Sequence, residues 1–346
     1  MSENIYLNKK NIRQKKLNIK KNIYNKLKSI FDIFINPKKQ KIKNKIYKFI
    51  VIFIIIICIS FKKIIFVNGS AIKKLNNKER NLKVCLCVIG KKENLYVKEY
   101  IEHYKKIGYN HIFIYDNNDI NDEKFEDIIQ KDIICGFVTI INYRGYILDQ
   151  TNAYKDCYEK NNRDYDWLSF FDFDEFLEFN NKNQTIQTFL SSKRYVNCQN
   201  IKINWLIYKN NNSLYYNNNT LQKRLTIPLY KDGANIHIKS TVRGNLSENY
   251  WSKRANPHTS LTNFTSCNSL GKKINYDSPY NIPPNFNYAY LKHYYYKSFE
   301  EFCLKIYRRV TNDKNNIFNK ILLNLFEKNK NNKEKLKIMK KIFKIK

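Results

Sequence analysis

The chain has few acidic residues, with 30 Asp and Glu against 63 Lys and Arg, which gives a formal net charge of +33. The imbalance lies mostly in the tails, because residues 1–80 contain 21 basic and 3 acidic residues and residues 313–346 contain 11 and 3. Residues 81–312 are nearly balanced, with 31 and 24. Such tails are typical of a coding sequence rich in A and T, or of segments attracted to anionic lipid. The sequence has no recognised base-reading motif, so we expect no nucleic-acid partner.

The eight cysteines form no metal-binding pattern, and the chain has no visible internal repeat. Cys85 and Cys87 are separated by one residue within an apolar run, which is more typical of core packing than of a zinc site. Five other cysteines are candidates for disulfides in an oxidising compartment, and the sequence leaves their pairing open. They are Cys135, Cys157, Cys198, Cys267 and Cys303.

One long apolar run precedes the balanced region. Residues 49–67 reach the length that a bilayer requires if Lys62 and Lys63 extend their ammonium groups to the lipid headgroups. We predict a basic tail at 1–48, a transmembrane helix at 49–67 and a polar stem at 68–82; a buried core helix is the alternative. The basic tail favours a cytoplasmic N-terminus. We therefore expect a single-pass type II protein in a lipid bilayer, in the Golgi if the source is eukaryotic and in the inner membrane if it is bacterial.

Strand-like and helical segments alternate after the stem. Residues 84–89 are apolar, residues 96–107 have one apolar helical face, and the alternation continues to the apolar run at 167–173. Such repeats predict an α/β fold with a mostly parallel sheet flanked by helices, in which ligands bind at the carboxyl ends of the strands. We predict one domain at 83–312 and a basic helix or tail at 313–346.

Three carboxylates occur together at the end of the apolar run, namely Asp172, Asp174 and Glu175. Buried carboxylates are costly unless a cation or hydrogen-bond donors meet them. Two Asp separated by one residue can direct their oxygens to the same Mg²⁺ or Mn²⁺, and these ions bind phosphate oxygens at the same time. The cluster predicts a metal that holds a diphosphate; the alternative is a strand end whose acids are solvated or paired with Lys.

Several short motifs occur in one order along the chain. They lie at residues 91–94, 100–104, 114–118, 172–176, 256–258, 292–298 and 300–302. This series resembles the glycosyltransferase family 92 domain and the related family-2-like glycosyltransferases, over about residues 83–312. The resemblance implies a GT-A fold, which has a Rossmann-like sheet. It also implies the transfer of a hexose, with galactose favoured, from a nucleotide-diphosphate sugar such as a UDP-sugar to a glycan acceptor, with Mn²⁺ or Mg²⁺.

The resemblance also implies roles for individual residues. Asp172 and Asp174 match the acidic pair that binds the metal, and His293 matches the histidine of a late motif, where it would be a further ligand. Asp116 and Asn117 match a turn near the nucleotide. A further donor-binding position is Glu93, where the usual Lys-Asn-Glu order is replaced by Lys-Glu-Asn.

The chemistry of glycosyl transfer adds two requirements. A departing diphosphate needs positive charge, for which the candidates are Lys239, Arg243, Lys292 and Lys297, with Arg243 best suited to bidentate contact. An inverting reaction needs a base for the acceptor hydroxyl, for which the candidates are Glu175, Asp232, Glu248 and His258.

The altered Lys-Glu-Asn order at 92–94 and the lack of an obvious base leave a second hypothesis open. The alternative to a transferase is a non-catalytic, membrane-tethered module that binds a glycan or a partner on the same fold. If the cluster binds a metal, Asp174→Asn should abolish activity, and relief of like-charge repulsion should leave stability unchanged or raised.

Overall fold

The computed structural model describes residues 82–145, 150–246, 257–258, 264–275, 278–310 and 317–344. Asn81–Lys346 forms one compact unit. Within the ranges described, no helix is long and apolar enough to cross a membrane. The basic tail and the transmembrane helix predicted at 49–67 lie outside those ranges.

The strands are β1 (Val84–Gly90), β2 (His111–Asp116), β3 (Val138–Asn142), β4 (Trp167–Phe170), β5 (Glu175–Phe179), β6 (Asn200–Ile207), β7 (Ile238–Arg243), β8 (Ser266–Asn268) and β9 (Ala289–His293). The helices are α1 (Asn94–Lys106), α2 (Glu126–Ile134), α3 (Gln150–Asn161), α4 (Ile186–Leu190), α5 (Leu221–Arg224), α6 (Phe299–Val310), α7 (Ile317–Asn329) and α8 (Lys333–Phe343).

The nine strands of the described residues belong to one mixed sheet, in the order β3-β2-β1-β4-β7-β6-β9-β5, with β8 paired to β6. The half formed by β3, β2, β1 and β4 is parallel, as the alternation of strands and helices predicted. Beyond β4 the sheet is mixed, because β7 is antiparallel to β4 and β6 and β5 is antiparallel to β9, whereas β6 is parallel to β8 and β9. Antiparallel neighbours need no crossover helix, so the later strands lack that signal in the sequence.

Helix α1 covers the parallel half of the sheet. Its buried residues recur at helical spacing: Tyr96, Val97, Tyr100, Ile101 and Tyr104. Gly108 follows the helix with a φ of 95°, a left-handed conformation that glycine adopts without steric cost, and the chain then enters β2. This packing fixes the loop between β1 and α1 at the carboxyl edge of the sheet.

The predicted strand at 167–173 ends earlier than expected. β4 stops at Phe170, and β5 begins at Glu175, so Asp172 and Asp174 lie in the connection between two strands. The backbone N–H of Glu175 donates to the carbonyl of Asp172 at 3.0 Å, which closes this turn. The turn lies at the carboxyl edge of the parallel strands.

Two disulfides stabilise the described region. Cys87 of β1 is bonded to Cys157 of α3, and Cys198 is bonded to Cys267 of β8. The prediction that Cys85 and Cys87 pack in the core is confirmed, and β1 in addition directs the side chain of Cys87 towards α3, where Cys157 meets it. Cys85, on the same face, is a buried free thiol.

The C-terminal helices pack on α6. Phe299 and Cys303 of α6 form a small apolar cluster with Ile338 and Met339 of α8. Helix α6 therefore has an apolar side towards α8, and other faces of it are available to the strand ends.

Candidate active site

Asp172 is a charged carboxylate that faces partly into solvent. Its Oδ1 accepts hydrogen bonds from Gln150 Nε2 at 2.8 Å and from Tyr154 Oη at 3.1 Å, both from α3. Its Oδ2 lies 2.8 Å from Lys239 Nζ, and the side chain is 34% exposed whereas that of Lys239 is 1% exposed. Burial raises the pKa of Asp172, but the ammonium of Lys239 outweighs it and the pKa is lowered.

Asp174 lies two residues further along the turn and is mostly buried. Its Oδ2 is 2.6 Å from Lys305 Nζ of α6, and its Oδ1 is 3.7 Å from His293 Nε2. Although burial raises the pKa of Asp174, Lys305, His293 and Lys297 together hold it well below its usual value. Asp174 is therefore ionised and held by cations on one side.

Glu175 is fully buried beneath the turn. Its Oε2 accepts the backbone N–H of Asp172 at 3.0 Å, and its Oε1 lies 3.6 Å from Lys239 Nζ. Burial, with the charges of Asp172 and Asp174, raises the pKa of Glu175 well above its usual value despite Lys239. This carboxyl group has no exposed surface and supports the turn, and its role as the catalytic base stays a prediction.

His293 ends β9 and is paired in register with Glu175 across the antiparallel ladder. Its ring lies 4.3 Å from that of Trp205. Burial lowers its pKa to about 3, so the imidazole is neutral at neutral pH. Its buried Nδ1 has no hydrogen-bond partner. A neutral, buried imidazole beside a carboxylate is a form suited to metal binding.

The fit of a metal to these residues can be judged from their spacing. In the part of the chain that the structure describes, no three His, Cys, Asp or Glu side chains converge as a metal site. The pair formed by Asp174 Oδ1 and His293 Nε2 is 3.7 Å apart. Two ligands at right angles, each about 2.1 Å from one ion, are about 3.0 Å apart, so a small approach of the two side chains suffices. Mg²⁺-like ions commonly take one or two protein ligands and complete their shell with phosphate and water, so the pair fits.

A second charged group joins the loop after β1 to α6. Glu93 precedes α1, and its Oε2 lies 3.2 Å from Lys297 Nζ while its Oε1 lies 3.6 Å from Arg308 Nη1. Arg308 also donates to the backbone carbonyl of Lys91 at 2.6 Å. Lys297 is buried over the ring of Tyr96, at 3.5 Å, and burial lowers its pKa although Glu93 and Asp174 oppose this. The altered Lys-Glu-Asn order thus still directs a carboxylate towards the site.

The late Lys-Ser-x-Glu-Glu motif is a capping box. Glu301 Oε2 accepts the N–H of Ser298 at 2.9 Å, and the N–H of Glu301 donates to Ser298 Oγ at 3.2 Å. Glu301 also forms a bidentate pair with Arg224, at 2.5 and 2.6 Å, and accepts from Tyr96. Burial raises its pKa, but Arg224, Ser298 and Tyr96 lower it to about 2. This network fixes the start of α6.

Lys305 and Arg308 are site residues that the sequence reasoning did not name. They follow Glu301 by four and seven residues, so all three lie on the same face of α6. The available signal was the capping box, because it sets the first residue of the helix and therefore which later side chains face the strand ends.

Asp116 and Asn117 end β2, beside the end of β1. Asp116 accepts from Asn118 Nδ2 at 2.8 Å and pairs with Arg144 Nη2 at 2.7 Å, and the N–H of Asn117 donates to the carbonyl of Gly90 at 2.9 Å. The carboxylate of Asp116 therefore shapes the loops. Next to them is an open cleft of about 570 Å³, lined by Lys92, Asp119, Ile120, Asn121, Asp122 and Gly145.

Arg243, a predicted donor-binding residue, lies away from the acidic turn. Arg243 pairs in register with Trp167 at the start of β4 and stacks on its ring, and its Nε donates to the carbonyl of Cys198 at 2.6 Å. Since a strand advances about 3.3 Å per residue, Arg243 is roughly 16 Å from the turn at Asp172. Because β7 runs antiparallel to β4, its first residues, not its last, reach the turn, and a contact between Arg243 and the diphosphate stays a prediction.

Asp232 is also outside the acidic turn's network. Its Oδ1 accepts the N–H of Ala234 at 2.8 Å and caps the short 3₁₀ helix Gly233–Ile236. Its carboxylate has a local structural role, so the prediction that it is a catalytic base is not supported by this arrangement. Lys292, another candidate for the diphosphate, pairs with Glu178 at 2.7 Å.

His258 lies near the acidic turn. Its Nδ1–H donates to the carbonyl of Ile238 at 2.6 Å, next to Lys239, and its ring meets Trp205 edge-on at 5.8 Å. Burial and the charge of Lys239 lower its pKa to about 4. His258 is therefore neutral at neutral pH and stays a candidate base. Glu248, the other candidate, lies outside the described residues.

Comparisons with known proteins agree with the motif order. The family model described as Glycosyltransferase family 92 matches residues 80–337. A glycosyltransferase family 92 protein of Oryza sativa subsp. japonica is 27% identical over 107 residues, which cover 31% of this chain and 18% of the rice protein. The match to this relative thus spans well under two thirds of its length.

Similar solved structures are more distant. A mannosyltransferase of Pyrobaculum calidifontis, solved with GDP-Man and Mn²⁺, is 9% identical with a TM-score of 0.26, covering 36% of this chain and 35% of that one. The 1–349 fragment of S. aureus TarS is 9% identical with a TM-score of 0.33, covering 67% and 66%. Likenesses this weak carry no argument about donor or metal. Since the family model spans most of the sequence, the chain belongs to glycosyltransferase family 92.

Proposed function

We propose that this chain is a metal-dependent glycosyltransferase that moves a hexose, with galactose favoured, from a nucleotide-diphosphate sugar to a glycan acceptor. We propose a UDP-sugar as the donor. The observation that carries the proposal is the pairing of Asp174 with His293, 3.7 Å apart, at the carboxyl edge of the parallel strands. Family membership supports the reaction class.

The carboxyl edge of the parallel strands suits the departure of a diphosphate leaving group. Asp174 and His293 would hold the ion, with Asp172 close by in the same turn, and a bound divalent ion supplies positive charge to the oxygens of a departing diphosphate. Lys305 brings its ammonium group to Asp174, and Lys297, which pairs with Glu93, places a second ammonium group nearby. Fixed cations in a partly buried site stabilise developing negative charge without reorganising.

The nucleoside has a suitable place beside these cations. The cleft next to Asp116 opens at the ends of β1, β2 and β3 and is lined by Lys92, Asp119 and Asp122. Carboxylates accept hydrogen bonds from ribose hydroxyls, and a strand-end cleft is where α/β sheets bind nucleotides. We assign the nucleoside to this cleft.

An inverting transfer needs a base for the acceptor hydroxyl, and His258 is the candidate that the geometry favours. Its imidazole is neutral and lies near Lys239 and Asp172. The charge of Lys239 contributes to its low pKa, and a diphosphate bound nearby would raise that pKa by adding negative charge. His258 would then become a stronger base when the donor is present.

We also propose that the chain is held in a bilayer by residues 49–67 as a type II protein, with its catalytic domain in an oxidising compartment. This would be the Golgi lumen in a eukaryote; in a bacterium the anchor would lie in the inner membrane. The two disulfides of the described region support such a compartment. Protease treatment of sealed, cytoplasmic-side-out vesicles tests it: a C-terminal tag should be protected, and digestion of the tag would contradict the assignment.

The enzymatic proposal is tested with the purified full-length chain and a panel of donors. UDP-galactose, UDP-glucose, UDP-N-acetylglucosamine and GDP-mannose are each incubated with Mn²⁺ or with EDTA, and release of nucleoside diphosphate is measured with and without p-nitrophenyl glycosides as acceptors. We expect Mn²⁺-dependent turnover of a UDP-sugar, its loss in His293→Ala, and unchanged turnover in the exposed control Lys106→Gln. A folded chain that turns over no donor would overturn the proposal and favour a non-catalytic binding module.

A further inference from the structure

Three mostly buried cations lie together at the site, Lys297, Lys305 and Arg308. Lys297 and Arg308 pair with Glu93, and Lys305 pairs with Asp174. Glu301 of α6 pairs instead with Arg224. An anion bound beside these cations would gain charge-assisted contacts.

Lys305 is the cation of this set that reaches Asp174. Its Nζ lies 2.6 Å from Asp174 Oδ2 and 4.2 Å from the centre of the Tyr295 ring. The same carboxylate presents its Oδ1 to His293 at 3.7 Å. A divalent cation between Asp174 and His293 would thus be only a few ångströms from the ammonium of Lys305, and like charges at that distance repel strongly where water is scarce.

We propose that Lys305 is an exchangeable counter-ion of Asp174. It neutralises Asp174 before the donor binds, and it turns to the diphosphate of the donor when a divalent cation takes Asp174. This inference rests on the proposed function. It makes the binding of cation and diphosphate mutually dependent, because the cation releases Lys305 for the phosphates and the phosphates offset the repulsion between Lys305 and the cation.

A fixed structural ion pair predicts something different. In that case Lys305 would remain on Asp174, its removal would lower stability, and affinity for diphosphate would not change. The two accounts therefore differ in the effect of removing Lys305 on the affinity for diphosphate, which falls only if the lysine is exchangeable. Removing Lys305 also frees a ligand and removes a repelling charge, so Mn²⁺ binding should tighten.

The test is isothermal titration calorimetry on the full-length chain with Mn²⁺ alone, UDP alone, and UDP in the presence of Mn²⁺. We expect Lys305→Gln to bind Mn²⁺ alone about tenfold more tightly and to bind UDP with Mn²⁺ about tenfold more weakly, as loss of one charged contact implies. Lys305→Arg, which retains the charge, should recover most of the UDP affinity. The exposed control Lys106→Gln should match the wild type, and melting temperatures report folding.

Two kinds of failure are distinguishable. If the wild type binds UDP with Mn²⁺ but Lys305→Gln leaves the Mn²⁺ affinity unchanged or weaker, or leaves UDP affinity unchanged, the exchange is wrong and the proposed function stands. If the folded wild type binds neither Mn²⁺ nor UDP, the proposed function fails and this inference fails with it. If Lys305→Gln does not fold, Lys305→Arg decides: retained coupling between Mn²⁺ and UDP supports the inference, and independent binding overturns it.

Discussion

The ammonium of Lys239 lies 2.8 Å from Asp172 Oδ2 and 3.6 Å from Glu175 Oε1, and only 1% of that side chain is exposed. Strand β7, which is antiparallel to β4, thus supplies the cation that holds the acidic turn after β4. Burial lowers the pKa of Lys239, but Asp172 and Glu175 outweigh it and the pKa is raised. Lys239 therefore stays charged at neutral pH.

Lys239→Met should destabilise the fold, because it leaves Asp172 without its cation. Loss of one partner of a buried pair costs about 3–5 kcal/mol, and partial solvation of Asp172, which is 34% exposed, reduces this to about 2–3 kcal/mol. Urea denaturation at pH 7 measures the change. A free energy of unfolding equal to that of the wild type would mean that the pair contributes no net stability.

Asp174→Asn should lower stability as well as activity, contrary to the expectation from sequence alone. The expectation of unchanged or raised stability assumed repulsion among the carboxylates, whereas the structure pairs Asp174 with Lys305 and Glu175 has a raised pKa. We expect a loss of about 2–4 kcal/mol, since the mostly buried Lys305 loses its carboxylate partner. Thermal and urea unfolding measure this loss. A variant as stable as the wild type would instead support repulsion among the carboxylates.

The ionisation of Glu301 should make the free energy of unfolding depend on pH in the acid range. Its pKa is lowered from 4.5 to about 2, so its contribution is fully present above the unfolded value and is lost as pH falls from about 4.5 towards 2. The shift corresponds to about 3 kcal/mol, taken as an order of magnitude. Glu301→Gln should lose that stability at pH 7 and show a shallower decline below pH 4.5. Parallel unfolding curves for both proteins across pH 6 to 3 would contradict the assignment.

The disulfide between Cys87 and Cys157 should stabilise the side of the site that holds Asp172. It joins β1 to α3, the helix from which Gln150 and Tyr154 bind that carboxylate. Replacing both cysteines by Ala should cost about 2–4 kcal/mol, as expected for a bond that closes a long loop.

Comparison of melting temperatures with and without reductant measures that contribution. Cys135→Ser, at an exposed free thiol, is the matched control and should leave the melting temperature unchanged. A double variant that melts at the wild-type temperature under oxidising conditions would show that this bond contributes nothing to stability.

Local patterns in the sequence were enough to predict the parallel half of the sheet and the acidic cluster at its carboxyl edge. Alternating apolar runs predicted β1, β2 and the crossover helices, and their carboxyl edge located Asp172 and Asp174 together. The direction of β7 was not readable, because Lys239 and Arg243 stand near opposite ends of that strand and the sequence favoured Arg243 only for its bidentate contact. Only the pairing of β7 with β4 decides between them.

The contacts that the sequence did not predict join residues that are far apart along the chain. Glu93 and Lys297 are 204 positions apart, and Cys87 and Cys157 are 70 apart, so neither pair follows from local spacing. Lys305 and Arg308 differ, since the capping box of Ser298 and Glu301 sets their helical phase and made them predictable in principle.

The most direct test of the metal-dependent donor site is anomalous diffraction at the manganese edge from crystals grown with Mn²⁺ and UDP. We expect an anomalous peak for a manganese ion about 2.1 Å from both Asp174 Oδ1 and His293 Nε2, with the diphosphate of UDP completing its coordination shell. A manganese peak away from this pair, or UDP bound at the site without any peak there, would contradict it.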